Sequence, residues 1–235
     1  MSVGFGEFLA VVLFFVCLWH AWQSEGRAFA QQWFFTAYVF AIVRENLFAS
    51  FQNIEYVETV IRFGSAPAAL TLNFASFSYL AYALAKIIAG ERADAEKAFG
   101  TLGWNMLCLA SVIALPLELF ATTLKWWIYP LDTPYLLIGN LPYFVPLAWG
   151  VSTAFFYFAI QRVRNIPFRG NGQLFALITA SPVLGVIGCV VYIAVEFFVG
   201  WFASVGLAAA ATATLALLWI GIPLVQLLTP TKRNP

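Results

Sequence analysis

Three glutamates, Glu45, Glu118 and Glu196, sit inside or at the ends of long apolar runs, and their residue type and placement could do acid–base chemistry. An ionisable side chain in a membrane span costs about 2.5–3.5 kcal/mol on insertion scales, so such a residue is read as functional by default. A carboxyl group in an apolar pocket is driven toward its protonated form, and a second carboxylate beside it drives it further. A neutral carboxylic acid is a proton donor for general acid catalysis. Two structural alternatives stand beside this reading. The glutamates could pair with Arg44, Arg62 or Lys125, or they could reach the headgroups, as Glu196 does most easily from the edge of its span.

The aromatic residues around them fit that chemistry. On helical spacing Tyr38 shares a face with Glu45, and Tyr192 and Cys189 share one with Glu196. Trp126, Trp127, Tyr129, Tyr143 and Trp149 cluster beyond Glu118. Aromatic faces stabilise a cation electrostatically, so an acid beside such a cage suits carbocation formation. Interfacial belts of Trp and Tyr are also general to membrane proteins. The candidate catalytic set is Glu118, Glu45 and Glu196, and the candidate substrate-binding set is Tyr38, Tyr56, Trp127, Tyr129, Trp149 and Asn73.

The elements that must position these residues follow from composition. The chain is 62% hydrophobic and only 10% charged, against about 25% charged in a soluble domain. A soluble fold of 235 residues cannot hide that much apolar surface, so lipid must solvate it. The expected fold is all-α and polytopic, a single transmembrane domain over 1–235 with seven runs near the twenty or so residues a bilayer needs. The runs are approximately Phe5–Gln23, Gln32–Phe51, Ala66–Ala89, Thr101–Thr123, Ile138–Val163, Gln173–Phe198 and Trp201–Leu228.

Lys and Arg concentrate on cytoplasmic loops. With the N-terminus outside and the C-terminus in the cytoplasm, the cytoplasmic side collects Arg27, Lys86, Arg92, Lys97, Arg162, Arg164, Arg169, Lys232 and Arg233. The start MSVGFGE carries an acid and no base, which is the wrong n-region for a cleaved signal, so the first run is expected to be kept as a helix. The link GERADAEKAFG reads as a solvated turn, and the basic RVRNIPFRGNG as a contact for anionic headgroups. The outer links, residues 52–65 and 124–137, mix Tyr, Trp, Glu and Pro with aliphatics, as interfacial segments do, and could also form a lid.

An internal repeat is legible. When Glu45 is slid onto Glu118, Ala41 falls on Ala114 and Tyr56 on Tyr129. After a short gap Gly64 falls on Gly139, Pro67 on Pro142 and Tyr82 on Tyr157. The pattern is an acid late in an outgoing helix, a tyrosine in the outer link, then Gly-x-x-Pro opening the return helix, where proline loses no intrahelical bond. With Glu196 as a third acid, the chain reads as hairpin repeats over about 32–89, 101–163 and 173–228 after a first helix 5–23.

Several classes are excluded. A net charge of +1 offers no basic face for nucleic acid. Cys17, Cys108 and Cys189 are too scattered for a zinc site or disulfide framework and read as small core residues. His20, the only histidine, cannot alone make a bis-histidine haem or di-iron site. The last run lacks a lysine for a retinal Schiff base, and no P-loop, GxSxG, HExxH or paired-aspartate diphosphate motif occurs. No cofactor and no metal are expected.

The stretch LELFATTLKWWIYPLDTPYLLIGNLPYFVPLAWG resembles the membrane carotenoid-biosynthesis family that includes bacterial and archaeal carotenoid hydratases, through Glu118, Tyr129, Gly139, Pro142, Pro146 and Trp149. RENLFASFQNIEYVETVIRFGSAP is a weaker echo of it, and the two together span about a quarter of the chain. In size, helix number and an acid late in the second helix, the chain is also similar to seven-helix integral membrane terpene cyclases. It departs from them in having no Asp or Glu in the last span. The resemblance implies an isoprenoid- or carotenoid-modifying enzyme. A neutral Glu protonates a C=C, and the tertiary cation is captured by water, as in a hydratase, or by an internal olefin, as in a cyclase. Glu118 is then the favoured acid, Glu45 its partner, and Tyr129, Trp127 and Trp149 the cation stabilisers. The expected partners are a lipophilic isoprenoid or carotenoid substrate and membrane lipids, in a bacterial inner (cytoplasmic) membrane. Two other classes remain open. One is a non-catalytic or pigment- or lipid-binding integral subunit of a larger membrane complex. The other is an H⁺-coupled transporter, which the uneven division into three hairpins and one helix disfavours.

Overall fold

The computed structural model describes residues 3–51, 54–57, 59, 61–89, 98–129, 137–138, 141–142, 144–166 and 172–205. Among them are six helices, α1 (Val3–Glu25), α2 (Arg27–Ser50), α3 (Ala68–Ala89), α4 (Ala98–Thr123), α5 (Val145–Arg164) and α6 (Gly172–Val205). Four are long and apolar enough to cross a membrane, over Gly4–Glu25, Ala68–Ala89, Gly100–Thr123 and Gly172–Ala194. Large apolar side chains stand uncovered on their outer faces, among them Phe8, Phe15 and Trp19 on α1, Val112 on α4, and Phe175, Val190 and Phe197 on α6. An uncovered apolar belt of this extent is incompatible with water and suits lipid, so the chain is a helical membrane protein.

The other two helices, α2 and α5, carry more polar residues, and their position explains why they can. α2 packs against α1, α3 and α6, and its Thr36, Ala37, Phe40 and Ala41 are fully buried. Arg44 and Glu45 on this interior helix bond protein partners instead of meeting acyl chains.

Helices consecutive in the chain run in alternating directions. At one end, Glu25 closing α1 accepts from Lys86 closing α3 at 2.7 Å, Gln32 early in α2 donates to Gln173 early in α6, and the Arg164 guanidinium at the end of α5 lies 5.2 Å from the Phe29 ring centroid. His20 and Ser24 of α1 also meet the Tyr79 hydroxyl of α3. At the other end a Cβ on Gly6 of α1 would strike the Trp126 ring just after α4. Only Gly26, at φ +88°, separates α1 from α2; glycine adopts that backbone conformation without the Cβ penalty of other residues.

The described residues of the outer links include short strands. β1 (Glu55–Tyr56), β2 (Arg62–Phe63) and β3 (Ala66–Pro67) lead into α3, while β4 (Trp127–Ile128), β5 (Leu137–Ile138) and β6 (Leu141–Pro142) lead toward α5. β2 and β3 form a hairpin, β5 and β6 another, and β1 pairs antiparallel with β4, stitching the two links together. In the first hairpin Gly64 supplies the positive φ that a two-residue loop requires. Asn46 of α2 fastens that loop, accepting from the Ser65 amide and donating to the Phe63 carbonyl.

Two expectations change here. Pro67 and Pro142 lie in strands, opposite Arg62 and Leu137, and not in the first turn of a helix. Pro146 takes the first-turn position of α5, where its missing N–H is harmless. The sixth run does not stop at Phe198. α6 continues through Gly200 to Val205, because a single glycine in an apolar helix costs only about 1 kcal/mol and no proline follows it. Residues 206–235, with most of the last run, and 90–97, with most of the longest charged link, lie outside the described residues.

A Cβ at Gly150 of α5 would overlap Ser111 and the Leu107 carbonyl of α4. Gly150→Val is therefore expected to lower stability by about 1–3 kcal/mol. Gly4→Ala, with nothing near its Cβ, should leave stability unchanged or slightly raised. Thermal unfolding of both variants in detergent checks the pair.

Candidate functional site

Glu118 near the end of α4 and Glu45 near the end of α2 are each only 2% exposed. Their surroundings differ in kind. Glu118 is held by neutral donors: its Oε2 accepts from the Trp127 indole and the Tyr129 hydroxyl, both at 2.9 Å, and its Oε1 from the Trp149 indole at 2.6 Å. Glu45 is held by a cation. Its Oε1 accepts from Nε of Arg44 at 2.9 Å and closely from Nη2 as well, while its Oε2 accepts from the Tyr56 hydroxyl at 2.6 Å.

Local sequence explains the arrangement. Tyr56 and Tyr129 lie in or beside the strands that join the links, so the β1–β4 pairing carries both phenols under the roof and over the helix ends. Trp149 projects from the first turns of α5, which the β5–β6 hairpin leads into.

The Arg44 guanidinium is enclosed by rings, with centroid distances of 4.3 Å to Phe74, 5.1 Å to Trp149, 5.5 Å to Phe48 and 5.8 Å to Phe40. Cation–π attraction strengthens as water is removed. The aromatic cage expected from the sequence is thus present in part, but it holds a side chain of the protein itself.

Glu45, Glu118 and Arg44 line one cavity with the phenols of Tyr56, Tyr129 and Tyr192, and its apolar walls include Phe48, Ile54 and Leu70. Its volume, ≈ 10 Å³, is room for about one water. A carboxylate offers roughly four acceptor positions. With the bonds above, one remains on Oε1 of Glu118 and one on Oε2 of Glu45. The chemistry open to the site is proton transfer between two carboxyl groups and a small or terminal group entering the cavity.

The phenols of Tyr56 and Tyr129 are pushed well above their ordinary value of 10.0, first by burial and then by the carboxylates they bond, Glu45 and Glu118. Both therefore stay protonated and act as donors.

Of the residues expected at the site, the structure brings together Glu45, Glu118, Tyr56, Trp127, Tyr129 and Trp149. Tyr38 sits two turns from Glu45 on α2 and packs its ring 5.8 Å from Phe63, outside the cavity wall. Asn73 is half-buried and rotated off the face of α3 that presents Leu70 and Phe74. Glu196 is half-buried on α6 and does not line the cavity, whereas Tyr192 one turn earlier does. Trp126 turns away toward Gly6 and Phe120, and Tyr143 lies outside the described residues. Cys17 and Cys189 are buried as expected, but Cys108 lies on the exposed face of α4. The candidate sets read from the sequence lack Arg44, Tyr192, Phe48, Ile54 and Leu70, all of which line the cavity. Arg44 and Tyr192 carried a signal, the first as a cation inside a span that must find a partner and the second as an aromatic on the face of Glu196; the others are indistinguishable from packing residues without coordinates.

Among the described residues no three His, Cys, Asp or Glu side chains converge as a metal site would require. Comparison with protein families, curated proteins and solved structures finds no match to this chain.

The raised phenols give a measurable sign. A group whose proton is held more tightly in the folded state contributes stability below its unfolded value, near pH 10, and loses that contribution as pH rises beyond it. In an alkaline absorbance titration of the folded protein, Tyr56→Phe and Tyr129→Phe are expected to leave the tyrosinate step near pH 10 undiminished. A step reduced by either substitution would show that phenol to be titrating normally.

Proposed function

We propose that the chain is a cofactor-independent membrane enzyme that protonates an isoprenoid or carotenoid C=C with Glu118. The observation that carries this reading is that two carboxyl groups from parallel helices, each with one open acceptor position, face a single small cavity lined by aromatic residues. Charge balance supports it. Arg44 compensates one carboxylate, so a second ionised carboxylate would leave a net negative site in a low-dielectric interior, and a proton on Glu118 removes that charge.

The step balances as follows. The Glu118 O–H bond breaks and its proton forms a C–H bond with the alkene π pair, leaving a tertiary cation and a carboxylate. Water then adds through an oxygen lone pair and sheds a proton to Glu45, or an internal olefin closes on the cation and a neighbouring C–H proton goes to Glu45. Return of that proton from Glu45 to Glu118 resets the site. With room for only about one water, the cavity takes the reacting end of the substrate after Ile54 or Phe48 swings aside, and the rest of the chain stays in lipid.

The same proposal includes a seventh span in the region after α6, an N-terminus outside and a bacterial inner-membrane location. Arg27, Lys86, Arg162 and Arg164 gather at the end of the bundle opposite the glutamates, in keeping with that orientation. It also includes duplication of a helical hairpin, which matched strand pairs ahead of α3 and α5 favour.

One observation favours a second reading. The cage that would stabilise a substrate cation already encloses Arg44, as expected if the network only fastens helices in a non-catalytic, pigment- or lipid-binding subunit. Expression in a host that accumulates lycopene, an acyclic polyene with terminal C=C bonds, separates the two. Glu118→Gln is expected to abolish conversion to a hydrated or cyclised product, and Glu45→Gln to reduce it at least tenfold. A well-folded Glu118→Gln protein that keeps full conversion, or a wild type that converts nothing, overturns the enzyme reading.

A further inference from the structure

The two glutamates are related by more than sequence spacing. If Glu45 corresponds to Glu118, then Glu55 corresponds to Ile128, Phe74 to Trp149 and Tyr82 to Tyr157. Each of these residues touches its own counterpart: Glu55 and Ile128 are strand partners, the Phe74 and Trp149 rings lie 5.8 Å apart, and the Tyr82 and Tyr157 rings 6.2 Å apart. Residues that meet their own counterparts mark a two-fold axis. It runs from the β1–β4 roof down between α3 and α5, with Glu45 and Glu118 on either side.

Three differences between counterparts set the two glutamates of the site apart. Arg44 corresponds to Leu117, which is 52% exposed and takes no part. Its guanidinium lies over both Phe74 and Trp149, on the axis, yet it bonds only Glu45. Trp149 replaces Phe74 and Trp127 replaces Ile54, and the indoles thus gained both donate to Glu118. One carboxyl group therefore faces a fixed cation, and its twin faces only neutral donors.

We propose that Arg44 is the positioning residue that assigns the two roles, holding Glu45 as the anionic base and leaving Glu118 to keep the proton. This rests on the reading of Glu118 as the site's acid. Near the pair the remaining titratable neighbours are the phenols of Tyr56, Tyr129 and Tyr192 in the cavity wall and, beyond it on α6, Cys189 and Glu196, and among the described residues no charged side chain besides Arg44, Glu45 and Glu118 lines the cavity. A buried guanidinium retains a carboxylate counter-ion wherever one is in reach, because an unpaired charge in low dielectric is far costlier than a paired one. With Arg44 removed, Glu45 has no reason to stay ionised. With Glu45 removed, the cation recruits Glu118.

Infrared spectroscopy of the purified protein in detergent at neutral pH reads these states without substrate, through the C=O stretch of protonated carboxyl groups. The wild type is expected to show one buried protonated-carboxyl band, abolished in Glu118→Gln. Arg44→Gln should gain a second band, which the Arg44→Gln/Glu45→Gln double variant loses. Glu45→Gln alone should lose the Glu118 band, and adding Arg44→Gln should bring it back. An Arg44→Gln spectrum with no second band, or a Glu45→Gln spectrum that keeps the Glu118 band, overturns the assignment of roles, and either arm decides if the other variant fails to fold. A wild type with no band removable by Glu118→Gln would instead overturn Glu118 as the acid, which lycopene conversion tests separately.

Discussion

Two carboxylates inside a bundle solvated by lipid must be satisfied by the protein, and most of the architecture at one end of the molecule answers to that constraint. A buried, unpaired carboxylate is costly enough that the chain must supply a cation, a proton or several hydrogen bonds. Here all the acceptor positions but two are filled, by Arg44 and one phenol on Glu45 and by two indoles and one phenol on Glu118. These donors come from two helices and two links. Weakening this site would therefore loosen α2, α4, α5 and the roof together.

The links above the site are joined by backbone pairing. Two-residue strands are marginal alone, since a ladder this short offers few hydrogen bonds. The first hairpin and the β1–β4 pair are tied to the helices below, the former by Asn46 at its loop and the latter by Tyr56 and Tyr129 bonding the glutamates. Polar satisfaction and roof formation are thus one event. The opposite end is built differently: Trp33, Tyr79, Tyr82, Phe156 and Tyr157 pack there as a continuous aromatic cluster, edged by the Glu25–Lys86 pair.

Burial divides the labour between helices. α1, α4 and α6 present apolar faces to lipid, whereas α2 hides Gln32, Arg44 and Glu45 among its neighbours. The helix least suited to a membrane by composition is the one its neighbours shield, and it supplies both the cation and one of the acids.

The sequence by itself determined that the chain is helical and lipid-solvated, because composition and run length report directly on the solvent a segment can tolerate. It also determined that Glu45, Glu118, Tyr56 and Tyr129 recur in one pattern, since spacing survives without coordinates. It did not separate Trp126 from Trp127, because neighbouring residues in an irregular link point in directions that only its backbone path fixes. Nor did it show that the aromatic cage encloses Arg44. Phe40, Phe48, Phe74 and Trp149 come from three helices, and periodicity within one helix carries no information about which faces of different helices meet. Packing decided that, and with it which carboxyl group was left without a cation.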